Sequence, residues 1–507
     1  MNYPAAPASR ALQLEAGLVL MVGLAIGISL AVAVYLPTKW MVFILFMIVV
    51  IAFFCIVRER EKLLLYLSVA LTSVFLSFHP IFLEPAALCW PVSGFRISIF
   101  EVAFFCLMIS WLIRLAVDIR LKVRLFPWVS IPFLLIWCLS LAGLNSVSMP
   151  GIVKFSNLWL IFESWLIFLF FANNIRDRRT VFNIVAVLLL TGVVQSILGL
   201  AQYVSGGSLG LQIFGESKSY NVYSVMMAGT EVISRVSGTF GHPNSLAGYL
   251  VMLVLINLSL FWAPISERVK LALWPTLLLM STALILTFSR GGWLALGVAG
   301  MFSFYLCFFR WIKHRSISFL LSLALLIIFF IVSVGLITPL RQRLFLEDYG
   351  AARTRIPLTE VALNIIGHHP WLGIGLGNYT MAAPNYDTTP EGISYEFPRP
   401  VHNEFLLIAA EQGLPALGLF LVILLYVVIQ LFRLSRSRTD PILPYLAIGL
   451  LGTFFAWSVS RLVDYNYVLL GDPFWLLIGL SLAMVQVSRQ GGSGDQPDGK
   501  GPAPQSP

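Results

Sequence analysis

Apolar runs long enough to cross a bilayer recur along almost the whole chain, at about residues 14–36, 40–57, 63–83, 97–117, 128–145, 152–172, 181–203, 245–265, 271–288, 291–309, 317–337, 415–432, 442–460 and 474–487. Inside lipid no water can satisfy a backbone N–H or C=O. Each run must therefore close its own hydrogen bonds, and it reads as a helix. The result is about fourteen spans, the last of them short, and an all-α polytopic integral membrane protein as the expected fold class. Composition agrees: 58% of residues are hydrophobic, 11% are charged and mean hydropathy is +0.87, beyond the range of soluble domains.

The basic residues then fix an orientation. With the N-terminus inside, the loops that should also be inside hold Arg58, Arg60 and Lys62; Arg120, Lys122 and Arg124; Arg176, Arg178 and Arg179; Arg268 and Lys270; Arg310, Lys313 and Arg315; and Arg433, Arg436 and Arg438. The opposite short loops hold little more than Arg96, Lys154, Arg290 and Arg461. Lys and Arg are retained on the side of synthesis, so both termini are expected in the cytoplasm. The net charge of +9 is accounted for by these loops and by anionic headgroups of the lipid bilayer, and gives no argument for nucleic acid. The first run is expected to be a retained helix and not a cleaved signal. Residues 488–507, rich in Gly, Pro and Ser, read as a disordered cytoplasmic tail.

Chemistry has few places left. The polar segments expected outside are about 204–244, the short turn 289–292 and the long loop 338–403. The first ends on Ser234-Arg235-Val236-Ser237-Gly238-Thr239-Phe240-Gly241-His242-Pro243-Asn244-Ser245, where Asn244 or Ser245 is expected to cap the next helix and to set Arg235 beside a helix N-terminus. His242 reads either as a local hydrogen-bonding element of that turn or as part of a site. In Ser289-Arg290-Gly291-Gly292-Trp293 a cation sits at a sharp turn between two spans; it is either an interfacial arginine reaching for water or one that meets an anion. The long loop is expected to carry a short amphipathic helix over 358–366, preceded by Arg353 and Arg355, and then Gly373-Ile374-Gly375-Leu376-Gly377-Asn378, a close-packed turn that matches no phosphate-loop fingerprint. It ends at Arg399-Pro400-Val401-His402-Asn403-Glu404. Asn403 caps a helix running to Gln412, closing on Gly413, which would hold His402 on a rigid element at the membrane rim, as a general base requires. No ligand spacing for a metal is present, and five scattered cysteines imply neither a disulfide framework nor a thiolate site. Asp464, on the last outer loop, reads as a sugar-binding or base-orienting carboxylate, or as the partner of Arg461.

Taken together, the segments Arg235–Tyr249, Thr287–Gly292 and His402-Asn403-Glu404-Phe405-Leu406 through Glu411-Gln412-Gly413 resemble the O-antigen ligase and polymerase superfamily, over about residues 180–470. The resemblance implies a GT-C-like membrane fold in 181–487, preceded by N-terminal transmembrane helices in 1–180. It also implies a metal-independent, inverting glycosyltransferase of the bacterial inner membrane, without a cofactor, that uses glycan carried on undecaprenyl diphosphate at the outer face. On that resemblance His402 matches the catalytic histidine, and Arg235 and Arg290 match the arginines that hold the diphosphate. Arg353, Arg355, Arg399, Asp464 and His242 are further candidate contacts. The acceptor would be a glycan, a lipid or a protein. The chain exceeds the family's usual span count by about two, and its first five spans carry little of the resemblance.

Two rivals stand beside a ligase. A polymerase joining lipid-linked repeat units shares fold and donor. A transporter or flippase would need ionisable residues deep within its spans, where the sequence offers chiefly Glu101, Lys154 and Glu163, with Glu163 the deepest.

Overall fold

The computed structural model describes residues 40–41, 44–48, 60–82, 94–146, 149–217, 225–228, 231–311, 324, 327–328, 351–470 and 473–493. The span expected at 14–36, most of those at 40–57 and 317–337, and the tail beyond residue 493 lie outside them. The elements in order are α1 (Arg60–Leu71), β1 (Ser77–Phe82), β2 (Gly94–Ser98), α2 (Ile99–Val117), α3 (Pro127–Ala142), α4 (Gly151–Asn174) and α5 (Arg178–Ser205). After them come β3 (Val225–Ala228), β4 (Glu231–Ser234), α6 (Pro243–Phe261), α7 (Glu267–Leu286), α8 (Arg290–Trp311) and α9 (Ala351–His368). The short α10 (Tyr379–Ala382) and α11 (Ile393–Glu396) lead to α12 (Glu404–Ser435), α13 (Leu443–Arg461) and α14 (Phe474–Ser493). Seven of the described helices, α2, α4, α5, α6, α7, α12 and α13, are long and apolar enough to cross a membrane, and α3 is a shorter apolar helix.

The chain is mostly helical but not all-α as expected. β1 pairs antiparallel with β2, and β3 with β4. The run 63–83, expected as one span, is divided between the end of α1 and the strand β1, with a turn between them. The hydroxyls of Thr72 and Ser73 donate back to the carbonyls of Val69 and Ala70 at 2.7 and 2.9 Å and close α1. Pro80 could not continue a helix. It falls where the β1–β2 register shifts, a place at which a missing N–H costs little.

α6 is buried along nearly its whole length and packs on α7, α8 and α13, so it is the central post of the bundle. Two features tie the loop end of the bundle together. On α9, Leu358, Val361, Ala362 and Ile365, at helical spacing, are fully buried against Ile374, Tyr379, Val401, Leu407 and Ala410. The helix starts earlier than the expected 358, which leaves Pro357 inside it. α12, in turn, is broken at Gly413 (φ 84°, ψ 165°), where an added Cβ would collide with the Trp371 carbonyl oxygen. The carbonyls that the break would leave bare are taken up by the crossing loop: Ile374 N–H donates to Ala410 O at 3.0 Å and Gly375 N–H to Glu411 O at 2.8 Å. The Glu411 carboxylate accepts from the amides of Gly377 (2.8 Å) and Tyr379 (3.1 Å), so the glycine-rich run is occupied in packing against α12.

Candidate active site

The N-terminus of α6 with the segment before it, the α7–α8 turn, α9 and the end of α13 with the segment after it converge on one cavity of about 90 Å³, lined among others by Arg235, Arg290, Arg355, Asn244 and Asp464; the cap of α12, with His402, is tied to the Asp464 segment beside it. Local geometry explains how each arrives there.

Between α7 and α8 the chain reverses through Phe288, a fully buried residue with φ 49°, a left-handed conformation that costs a non-glycine residue energy and is found preferentially where function requires it. The Ser289 hydroxyl accepts the Gly292 N–H at 3.3 Å and starts α8, which sets Arg290 at the cavity wall. Gly292 lets α8 approach α6: a Cβ there would stand 2.9 Å from that of Ala247.

α6 is capped differently from expectation. Neither Asn244 nor Ser245 is the cap; His242 is, its Nδ1 accepting the Asn244 N–H at 3.1 Å, because Pro243 takes the first helical position. This leaves the Asn244 side chain free for another task. Its Oδ1 accepts from Arg235 Nη2 at 3.1 Å and its Nδ2 donates to Asp464 Oδ2 at 3.2 Å, linking cation and carboxylate through one amide. Arg235 is further fixed by Nε donating to Thr287 O at 2.9 Å. The Arg461–Asp464 ion pair that the sequence left open is not formed among the described residues.

His402 precedes the cap of α12, where Asn403 Oδ1 accepts the N–H groups of Phe405 and Leu406 at 3.0 and 3.1 Å. Asn403 Nδ2 also reaches the Leu462 carbonyl at 3.3 Å, and the buried Glu404 carboxylate accepts from the amides of Asn466 (2.6 Å) and Val468 (2.7 Å). These bonds clamp the segment carrying Asp464 to the helix start carrying His402. The imidazole stands edge-on to Tyr465, centroids 5.4 Å apart, and 5.9 Å from Phe397.

Burial lowers the proton affinity of both histidines. Burial pushes the proton affinity of His402 below the ordinary histidine value, and Arg355 and Arg399 push it the same way, against the pull of Asp464 and the Pro400 carbonyl. Its Nδ1 is buried and makes no geometrically sound hydrogen bond among the described residues. For His242 burial is again the largest cause, followed by Arg235, and the value falls to about 4. The cavity itself has three guanidinium groups against one carboxylate, a setting for a multiply charged anion.

Other residues singled out in the sequence take peripheral places. Arg399 lies with its guanidinium carbon 5.6 Å from the Phe397 ring centre and acts on both histidines through its charge. Arg353 is on α9, with its side chain outside the described residues. Asn244 and Tyr465 were missed as site residues. Asn244 looked like a cap, and nothing local in the sequence marks Tyr465 as a neighbour of His402. Among the described residues no group of three or more His, Cys, Asp or Glu side chains could hold a metal ion.

A search of curated proteins finds no match to this chain. Residues 275–421, the stretch that runs from α7 through Arg290, α9 and His402 into α12, match the family model described as O-antigen ligase, so the resemblance drawn from the motifs holds over that span.

Proposed function

We propose that this protein is a membrane glycosyltransferase that moves glycan from an undecaprenyl-diphosphate carrier to an acceptor hydroxyl on the outer face of the membrane. The observation that carries this reading is the cavity where Arg235, Arg290 and Arg355 converge, joined through Asn244 and Asp464 to the neighbourhood of a rigidly held His402 whose proton affinity burial lowers. In the proposed step the acceptor O–H gives its proton to the His402 imidazole while its oxygen bonds to the anomeric carbon. The bond from that carbon to the diphosphate oxygen breaks, and the electron pair leaves with the diphosphate. Attack from the opposite face inverts the centre. A sugar hydroxyl is a poor nucleophile at neutral pH, and a positioned base contributes about 10²–10⁴-fold. The negative charge growing on the leaving oxygen is met by guanidinium groups, so no general acid is required. Family similarity over residues 275–421 supports the reaction class, and the charge balance of the cavity supports the diphosphate.

The test is transfer by purified protein in detergent, from undecaprenyl-diphosphate-linked oligosaccharide to candidate acceptors, comparing wild type with His402→Ala and Arg290→Lys. Loss of product in folded variants supports the assignment, and undiminished transfer by both refutes it. A ladder of products identifies a polymerase, a single shift a ligase. Turnover in detergent, with no membrane gradient, is not what a transporter would give.

A further inference from the structure

A second cavity, about 290 Å³, adjoins the first: Gly292 and Ser460 line both. Much of its wall is aromatic and apolar, with Phe240, Phe454, Trp457 and Phe474 among the lining side chains, yet Arg96 and Arg461 also border it. Arg461 ends α13 and is only 8% exposed; its Nη2 would lie 3.8 Å from a Cβ placed on Gly248. Arg96 comes from β2. The Nε of each is buried without a hydrogen-bond partner, and among the described residues neither guanidinium forms a hydrogen bond or an ion pair. Glu101 and Glu163, on α2 and α4, attract Arg96 through space. Glu101 is engaged with Ser98 in the cap of α2, and neither oxygen of Glu163 makes a hydrogen bond.

Carbonyls at the end of α13 relieve part of the cost of burying Arg461, and Glu101 and Glu163 relieve part of that of Arg96, but neither guanidinium has an anion in contact, and one arriving in the cavity would lower the cost of both. The cavity thus offers two features at once, donors for an anionic group and a greasy wall for a chain attached to it. We propose that it is a second binding site, for a lipid bearing a phosphate, with the phosphate held by Arg96 and Arg461 and the apolar chain lying along Phe454, Trp457 and Phe474. This site is separate from the guanidinium groups of the first cavity, which in the proposed function hold the carrier's diphosphate. The role of its occupant rests on that reading: a lipid seated here has its headgroup at the shared wall, next to the reacting centre.

Native mass spectrometry of the delipidated protein with decyl phosphate as probe tests the assignment. An Arg235→Gln/Arg290→Gln background leaves one of the three guanidinium groups of the first cavity against its carboxylate, which cancels the cavity's positive excess and favours the second. In that background one probe molecule should still bind. Adding Arg96→Gln or Arg461→Gln should each weaken it about tenfold or more, the worth of one charge-assisted hydrogen bond. Inorganic phosphate at the same concentration should not displace it. Should Arg461→Gln fail to fold, as judged by thermal unfolding, Arg96→Gln carries the test, since Arg96 is only partly buried. Binding unchanged by the Arg96 and Arg461 variants overturns the proposal. So does loss of all probe on removing Arg235 and Arg290, which would make the two cavities one donor site, or equal displacement by inorganic phosphate, which would make this a simple anion site. None of these outcomes depends on transfer, so failure here is distinct from failure of the His402 assignment.

Discussion

Replacing Asn244 with alanine removes one amide and disconnects two charges. The lost bonds are Arg235 Nη2 to Oδ1 at 3.1 Å and Nδ2 to Asp464 Oδ2 at 3.2 Å. Both are near the long end of the N–H···O range, which places each at the lower end of bonds to charged groups, about 1.5 kcal/mol. Arg235 keeps its bond to the Thr287 carbonyl, so its guanidinium stays in the site while the Nη2 end loses its anchor. Between one and two such bonds, about 1.5–3 kcal/mol, correspond to a fall of about 10–150-fold in kcat/KM. The loss should appear chiefly in kcat if the amide aims Arg235 at charge that develops during the reaction. Asn244→Asp is the discriminating partner: it keeps an acceptor for Arg235 but sets a second carboxylate against Asp464. One of the pair then takes up a proton, and activity should recover as pH is lowered from alkaline values. The assay is transfer in detergent over a pH series, with unfolding measured in parallel. Activity of the folded alanine variant within about threefold of wild type would refute the argument that this amide positions the arginine.

Further outcomes follow from charge and backbone geometry. A general base must be unprotonated, so transfer should fail as pH drops through the His402 value, which burial and two arginines hold below the ordinary one. Arg355→Gln should move that acidic limb up and Asp464→Asn should move it down; the reverse order would exclude His402 as the titrating group. His242 binds its proton at about 4 in the folded chain against 6.5 for an ordinary histidine, so acid favours the unfolded state. Its stabilising effect is complete above 6.5 and is lost as pH falls towards 4, and His242→Asn, which keeps a capping side chain, should flatten that stretch of the stability curve. Gly413→Ala, at φ 84° and against the Trp371 carbonyl, should cost about 2 kcal/mol or more in thermal unfolding, whereas Gly418→Ala, with nothing within 4 Å of the added methyl, should stabilise by about 0.5–1 kcal/mol.

Several elements were legible in the sequence because their determinants are local. The start of α12 at Asn403 and its interruption at Gly413 are marked by a capping side chain and by a glycine two residues before Pro415. The packing role of the 373–378 turn could be read from its lack of a preceding strand. The split of the 63–83 run into helix and strand was not legible from hydropathy, which counts apolar residues and is blind to what Thr72, Ser73 and Pro80 do to the backbone. The cap of α6 was misplaced by two or three residues because a proline at the first helical position moves the cap to whatever precedes it, here His242.

The sequence by itself determined that this chain is a membrane-embedded bundle, since apolar length and the obligation to satisfy backbone groups in lipid leave a helix little alternative. It also marked Arg235, Arg290 and His402 as residues that could share one function. Only the tertiary structure decided that Asn244 joins Arg235 to Asp464 across 220 residues of chain, that Glu404 clamps the Asp464 segment beside His402, and that Arg96 and Arg461 border the same apolar cavity. The physical reason is range. Caps, breaks and spans are set by neighbours a few residues apart, while a site is set by which helix ends meet, and that depends on how buried surfaces far apart in the chain fit against α6.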